Sequence, residues 1–435
     1  MIMMRKKLDG GLKKILIFFL FFIFSSKSCY GSQILDYETE AFIRQIINDI
    51  IEANKVNKKI KFKINNSNEI NAFVDINNVI HINSGLILYC SDYVALLSVL
   101  AHEIGHIDHN HIVLRKKKIE TNQKYNSLGV LSIIAGSTLT QNPQLLQGSI
   151  LTSAALSNQY IVFSKDQEME ADIYALKTLN LLNTNSKSIQ TLLETIEEKL
   201  LDKGFSKDKQ RISSHPYFED RILLIKNLED NNENNLNNKY NERFNFIKAK
   251  FIGYSNNEEV LKTLNEPFKT YAKSIKLAKS GNLKMSLKKL NEIIKKNKNN
   301  YFLLETKADI LFSHGFTDEA VKFYKKNLDE YPLNYYAQIR IFENINIKNL
   351  SYSDTEIIFQ NNKELLYKYF NNKNILLKYI ELVEKLNKKE WLYFLNFVLS
   401  INSIEKEVFE IEIINFKSTK DRDLLKLVNI IQNIG

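Results

Sequence analysis

The sequence predicts a mainly α chain: an α+β amino-terminal domain with a small antiparallel sheet, followed by an α-helical repeat domain. Three observations support this fold class. Glycine (13) and proline (4) are scarce among 435 residues, which favours helices over a β-sandwich or a disordered chain. The apolar period changes from helical to alternating and back between residues 36 and 106. Near the carboxy terminus, one apolar pattern recurs after 34 residues.

Composition limits the classes of partner. Apolar residues (44%) and charged residues (25%) are at levels ordinary for a globular protein. The net charge of +10 comes from abundant lysine, without a basic patch interleaved with aromatic residues and without a known nucleic-acid module. We therefore attribute the charge to compositional bias and expect no nucleic-acid partner.

Residues 1–31 are typical of a secretory signal peptide. Basic residues precede a ten-residue apolar run at 15–24, and small or polar residues follow it. The run is short for a transmembrane helix, so an uncleaved anchor is a less favoured alternative, as is a lipidated Cys29. Cys90 would be the one cysteine of the mature chain, so cysteine usage does not decide the compartment.

The amino-terminal domain is predicted to begin with an amphipathic helix over residues 36–56. Alternating apolar residues then predict a strand from residue 59, and two shorter strands follow at 72–74 and 79–82. Ser91 or Asp92 can cap the next helix, whose residues 93–101 carry no charge and should be buried on most sides.

Two later segments complete this domain. Residues 128–157 are small and apolar, and we expect buried or lid helices there rather than a segment that touches the membrane. Ser164 and Gln167 have the spacing of a capping box, which predicts a helix through about residue 182.

The predicted domains are the signal peptide (1–31), the catalytic domain (32–228), a polar linker or connecting helix (229–265) and the repeat domain (266–435). The linker is marked by an asparagine-rich change in composition. Gly281 and Gly315 are 34 residues apart within matching apolar positions. Paired helices with this period resemble tetratricopeptide repeats, which stack to bury their faces.

The uncharged helix ends in an HExxH sequence. His102 and His106 lie four residues apart and project from one helical face, where two imidazoles can bind one zinc ion. Glu103 lies beside that face, which suits a general base acting on a zinc-activated water. The residues therefore point to a catalytic site with one Zn²⁺ per chain.

A catalytic zinc needs a third protein ligand. Glu168 and Asp172 share one face of the next predicted helix, so Glu168 can bind the metal while Asp172 orients a ligand histidine. Glu170 points roughly the opposite way and is interpreted as a solvated charge.

These residues, with Asn71-Ala72-Phe73 and Ser84-Gly85-Leu86, resemble the soluble zinc metallopeptidases related to the CAAX prenyl protease. Glu168, Ala171 and Asp172 match the E-x-x-A-D block of that family, and His111 matches a histidine that follows its HExxH. His215-Pro216 with Arg221 resembles a later H-P-x4-R element. The resemblance implies a zincin-like fold, with His215 as a removable zinc plug and Arg221 stabilising the oxyanion. It also implies a substrate-aligning edge strand, placed at residues 79–82.

The expected function is an exported, periplasmic zinc endopeptidase that cleaves misfolded or unassembled envelope proteins. Its repeats would recruit substrate or the outer-membrane assembly machinery, and peripheral membrane association is compatible with this. The alternative is a chaperone or scaffold whose zinc site is mostly silenced. A membrane-embedded prenyl-protein protease is disfavoured, because no segment approaches twenty consecutive apolar residues.

Overall fold

The computed structural model describes residues 33–114, 163–202, 218–227, 237–400 and 406–432. The chain divides into two compact units, residues 1–272 and 273–435. The predicted signal peptide, the apolar segment at 128–157 and His215 lie outside the described residues. Within the described ranges, no helix combines the length and apolar character needed to cross a membrane.

The first unit opens with a helix and a three-stranded sheet. Helix α1 (Tyr37–Asn54) begins at Asp36, whose carboxylate accepts a hydrogen bond from the Thr39 backbone N–H at 2.8 Å. Strands β1 (Lys61–Asn65), β2 (Ala72–Val74) and β3 (Val79–Asn83) follow and lie in the order β1–β3–β2. The predicted small sheet is therefore present, and it is mixed: β3 runs parallel to β1 and antiparallel to β2.

The expectation that residues 79–82 form an edge strand is wrong, because β3 lies at the centre of the sheet. The outer side of β1 is partly covered by Gln33, which forms a bridge with Asn65. Among the described strands, β2 is the edge that packs against the HExxH helix. Alternation in the sequence predicts that a strand exists, but the order of strands depends on tertiary pairing.

Five helices build most of the remaining core of this unit: α2 (Ser84–Tyr89), α3 (Tyr93–Asp108), α4 (Lys165–Leu181), α5 (Lys187–Asp202) and α6 (Phe218–Asn227). Asp92 caps α3 by accepting from the Ala95 N–H at 3.0 Å. Ser164 and Gln167 form the predicted capping box at the start of α4. Nearly every residue of α3 is buried, as its lack of charge predicts.

The predicted linker at 229–265 contains two helices in its described part, α7 (Asn238–Tyr254) and α8 (Glu258–Thr263). Phe244 and Ile247 of α7 lie in the core of the first unit. Lys250 is buried there too, with its Nζ 2.8 Å from Glu38 Oε2. This segment therefore contributes to the first unit, and the domain limits at 228 and 265 stay a prediction.

In the described residues after 265, the structure has eleven further helices and a short 3-10 turn at Ile347–Asn349. The helices are α9 (Phe268–Lys279), α10 (Leu283–Lys296), α11 (Phe302–Ser313), α12 (Thr317–Glu330), α13 (Tyr335–Glu343), α14 (Tyr352–Asn361), α15 (Lys363–Tyr369), α16 (Lys373–Lys385), α17 (Lys389–Ser400), α18 (Lys406–Phe416) and α19 (Arg422–Gln432). The mainly α fold class is confirmed.

The 34-residue period appears in the backbone itself. Gly281 and Gly315 both adopt positive φ, +83° and +85°, in the turns that follow α9 and α11. In each turn the residue after the glycine donates its N–H to the equivalent leucine carbonyl, at 2.8 Å in the first turn and 2.9 Å in the second. The two turns are therefore the same structural unit, used twice.

Candidate metal centre

Helices α3 and α4 bring three potential metal ligands together. His102 Nε2 and His106 Nε2 lie 3.1 Å apart on α3. Glu168, in the first turn of α4, places Oε2 3.6 Å from the His102 nitrogen and Oε1 3.6 Å from the His106 nitrogen. All three side chains are buried, and Glu168 is fully enclosed.

These separations fit a zinc ion. Tetrahedral zinc with bonds of 2.0–2.2 Å holds its ligand atoms roughly 3.3–3.6 Å apart, so the two Glu168 distances match and the 3.1 Å between the imidazole nitrogens is slightly shorter. Two imidazole nitrogens and one carboxylate oxygen are also the donor types that a catalytic zinc uses with one position left open. The donor set and its spacing therefore fit the metal that the sequence predicts.

The imidazole of His102 is oriented from its far side. Its Nδ1 lies 2.8 Å from Asp172 Oδ1, one helical turn beyond Glu168 on α4. The guanidinium of Arg221, on α6, holds Asp172 through two hydrogen bonds, Nε to Oδ2 at 2.8 Å and Nη2 to Oδ1 at 2.7 Å. Because a carboxylate that accepts from Nδ1 leaves the Nε2 lone pair for a metal, this network fixes the useful tautomer of His102.

Charge balance in this network shifts two pKa values. Burial opposes ionisation of Asp172, but Arg221 and His102 outweigh it and hold the pKa of that carboxyl below its ordinary value. Burial and the Arg221 charge lower the pKa of His102, but Asp172 and Glu168 outweigh them, so the pKa of His102 is raised. Asp172 is consequently an ionised acceptor at neutral pH.

Glu103 lies between the two histidines in sequence and is 1% exposed. Two residues further along α3, Gly105 faces Tyr174 of α4. A Cβ at Gly105 would meet the Tyr174 Cβ at 3.1 Å and its ring at 3.2 Å. The missing side chain therefore allows α3 and α4 to approach closely enough for Glu168 to reach both histidines.

The imidazole of His106 is held by different neighbours. Its Nδ1 lies 2.9 Å from Nδ1 of His111, whose Nε2 lies 2.8 Å from Glu170 Oε2. Phe163 stacks on the His106 ring with a centroid separation of 3.7 Å. Glu170 is exposed, as predicted for a solvated charge, with 59% of its side chain accessible, and one of its oxygens also contacts the buried His111.

A tight turn delivers His111 to this position. Asn110 adopts a left-handed backbone conformation, φ +58°, just after α3 ends. Lys58 braces the helix end by donating from Nζ to the Ile107 and Asp108 carbonyl oxygens, at 2.6 and 2.9 Å. Burial lowers the pKa of His111, and Glu170 offsets this only in part. His111 is therefore a neutral imidazole near pH 7.

The structure thus brings His102, His106, Glu168, Glu103 and Asp172 into one buried site, as their spacing predicts. Arg221 is also there: it donates two hydrogen bonds to Asp172, and its Nη1 lies 3.6 Å from Glu168 Oε2. Neither contact tests its predicted oxyanion role, which stays a prediction. Sequence reasoning missed the links from Lys58 to the end of α3 and from Glu170 to His111. Only the second had a signal, the histidine five residues after His106.

Comparison with known proteins adds an independent observation. The sequence profile of peptidase family M48 matches residues 38–229, the stretch that contains every site residue described above. The chain is 24% identical over 295 residues to the beta-barrel assembly-enhancing protease of Escherichia coli K12, covering 64% of this chain and 59% of that protein. The beta-barrel assembly-enhancing protease of Yersinia pestis is 25% identical over 180 residues, which cover 41% of this chain and 36% of that protein.

A shorter relative matches the peptidase region. Metalloprotease LoiP of Escherichia coli K12 is 26% identical over 174 residues, 40% of this chain and 64% of its own length. The chain spans about three fifths of the length of the Escherichia coli K12 assembly-enhancing protease. Profile, relatives and ligand geometry agree: residues 38–229 match the profile of peptidase family M48 and are similar in sequence to the beta-barrel assembly-enhancing proteases.

Proposed function

We propose that this chain is an exported zinc-dependent endopeptidase that cleaves misfolded or unassembled proteins of the cell envelope. The observation that carries the proposal is the buried cluster of the His102 and His106 Nε2 atoms, 3.1 Å apart, with one Glu168 oxygen 3.6 Å from each. The buried Glu103 follows His102 on the same helix. When bound there, one zinc ion per chain supplies a Lewis acid that polarises the scissile carbonyl and lowers the pKa of a water molecule.

The protein's own residues supply the proton transfers. Glu103 accepts a proton from the attacking water and then donates it to the leaving amine. Its 1% exposure keeps bulk water from screening the carboxylate. Asp172 and Arg221 keep His102 in position while the charge at the site changes.

The outer side of β2 is the proposed binding place for an extended substrate, and because Ala72 and Val74 are only 3% and 1% exposed, binding there requires a local opening. Asn71 accepts from the Asn83 N–H, and the Asp75 N–H donates to Val79, so the odd-numbered residues of this strand face β3. By alternation, the backbone groups of Ala72 and Val74 point away from the sheet. An added substrate strand would pair with those groups and run beside α3.

This pairing has a specific test. Val74→Pro deletes one outward N–H and leaves the β2–β3 hydrogen bonds in place. Because Val74 is 1% exposed and lies in the core, Val74→Ala is the matched control for lost packing. We expect KM for an unfolded protein substrate to rise severalfold while zinc affinity stays unchanged. An unchanged KM would remove β2 from substrate binding.

The envelope role is supported by the names of the relatives and by the predicted export signal. We propose that the helical second unit recruits substrate or the outer-membrane assembly machinery, with peripheral membrane association compatible with that role. The same proposal includes three further points: the protein is periplasmic, its repeats are tetratricopeptide repeats, and His215 acts as a removable zinc plug. For the plug, His215→Ala should raise peptidase activity, and indifference of the rate to this change would contradict it.

The central experiment is Glu103→Gln in the full chain. The variant should bind one zinc ion per chain and cleave an unfolded protein at least about a hundredfold more slowly, as expected for loss of a general base. Glu52→Gln, on the exposed side of α1, is the matched control. Cleavage at the wild-type rate by the Glu103 variant would refute the mechanism. The same inactive variant, used in cell envelopes, should retain substrates and partners for identification.

A further inference from the structure

A second set of contacts reaches the metal centre through His106. His111 is 2% exposed, and its two ring nitrogens contact His106 Nδ1 at 2.9 Å and Glu170 Oε2 at 2.8 Å. The metallopeptidase mechanism does not use either residue. The three side chains form a continuous line from the protein surface, where Glu170 is half exposed, to a metal ligand.

The positions of the hydrogens follow from this geometry. His106 presents Nε2 to the site, so its neutral imidazole carries the hydrogen on Nδ1. That hydrogen is donated to His111, whose Nδ1 must therefore be a lone pair. The hydrogen of His111 then lies on Nε2 and is donated to the Glu170 carboxylate. A single arrangement satisfies every group in the line.

We propose that His111 and Glu170 are positioning residues that lock His106 in the tautomer and ring orientation needed for metal binding. This inference rests on the proposed zinc site. It gives the two ligand histidines equivalent support, since Asp172 reaches His102 directly and Glu170 reaches His106 through His111. Glu168, Glu170 and Asp172 all lie on α4, so one helix supplies the metal ligand and both orienting carboxylates.

The same residues have a competing interpretation as a second metal site. His109, His111 and Glu170 also form a group that could hold an ion, although His109 Nδ1 is 3.9 Å from Glu170 Oε2 and its side chain is 42% exposed. A metal on His111 Nε2 would force the His111 hydrogen onto Nδ1. It would then face the N–H of His106 at 2.9 Å. A second ion is thus incompatible with the arrangement that supports His106.

Zinc affinity of the full chain, measured by competition with a chelating dye, tests the proposal without any assay of cleavage. Glu170→Ala and His109→Ala form an exposed pair that should leave folding intact. We expect the Glu170 variant to bind zinc about tenfold more weakly, within the range found for partners of metal ligands. The His109 variant should match the wild type, with one zinc per chain.

At the buried position, His111, two substitutions form a matched pair of variants. In His111→Asn the amide oxygen replaces the Nδ1 acceptor, whereas His111→Leu has the same size and no acceptor. The leucine variant should bind zinc roughly 10–100-fold more weakly, and the asparagine variant should recover most of the loss. Equal affinity of Glu170→Ala and wild type, or equal loss in both His111 variants, would overturn the proposal. Two zinc ions per wild-type chain, reduced to one by His109→Ala, would overturn it in favour of the second metal site. Zinc binding without cleavage would instead count against the proposed function.

Discussion

Replacing Arg221 with methionine should destabilise the first unit and weaken zinc binding together. Arg221 is 6% exposed and Asp172 is 4% exposed, and two hydrogen bonds of 2.8 and 2.7 Å join them. Methionine fills much of the same space without charge. It leaves the Asp172 carboxylate buried without the cation that holds the pKa of that group low.

The size of the effect follows from the burial of both partners. Removing one member of a buried ion pair costs about 3–5 kcal/mol of unfolding free energy. For a unit of this size, that corresponds to a fall in Tm of roughly 6–20 °C. His102 would also lose a fixed acceptor at Nδ1, so zinc should bind about 10–100-fold more weakly.

Thermal unfolding of the metal-free protein, followed by far-UV circular dichroism, and competitive zinc titration measure the two effects separately. The double variant Arg221→Met with Asp172→Asn removes both charges and should recover a large part of the lost stability. The asparagine can still accept from His102.

One result would refute this reasoning. If Arg221→Met unfolded and bound zinc like the wild type but cleaved substrate far more slowly, Arg221 would not act through Asp172. That outcome would favour the oxyanion role that the family resemblance implies.

Three further predictions concern sites away from the metal. Gly85→Ala should lower the unfolding free energy by about 1–3 kcal/mol, because a Cβ there would lie 2.4 Å from the Glu69 carbonyl oxygen. A variant with the same urea denaturation curve as the wild type would contradict this. Asp421 accepts from the indole N–H of Trp391, the one tryptophan in the chain, at 2.7 Å. Asp421→Ala should therefore cost about 1 kcal/mol at pH 7 after allowance for solvent screening, measured by tryptophan fluorescence during denaturation. Burial raises the pKa of Asp421, but the Trp391 hydrogen bond and backbone N–H groups outweigh it and lower the pKa. The stabilisation from the ionised Asp421 is therefore present above the unfolded-state pKa of about 4 and is lost as pH falls through the lower folded-state pKa. The difference in unfolding free energy between wild type and Asp421→Asn should shrink in acid, and a difference that grew would contradict this. Gly315→Ala should cost about 1 kcal/mol, because φ is +85° although space is free around it, and an unchanged Tm would contradict this.

The sequence was sufficient where the chemistry depends on spacing within one helix. His102 and His106 on α3, and Glu168 and Asp172 on α4, follow from helical periodicity and from capping residues that fix where each helix begins. The 34-residue repeat is also predictable from nearby residues, because a glycine within each turn provides the positive φ that the turn requires.

The rest of the site depends on groups distant in the chain or on tertiary pairing. A helical projection of α4 correctly places Glu170 in solvent, but the projection contains no information about the turn at Asn110 that brings His111 into contact with it. The central place of β3 likewise depends on which strand pairs with which, and three short strands do not specify this by alternation. Lys58 reaches the end of α3 from the segment before β1, a contact with no local signature.

The placement of all three carboxylates on α4 makes the site a thermodynamic link between two helices. Metal binding contributes to holding α4 against α3, so its free energy becomes part of the stability of that helix pair. At a zinc concentration a hundred times Kd, this linkage amounts to about 2.7 kcal/mol. Amide hydrogen exchange in α4 should slow to a matching extent when zinc is added, while exchange in α16 of the second unit should not change.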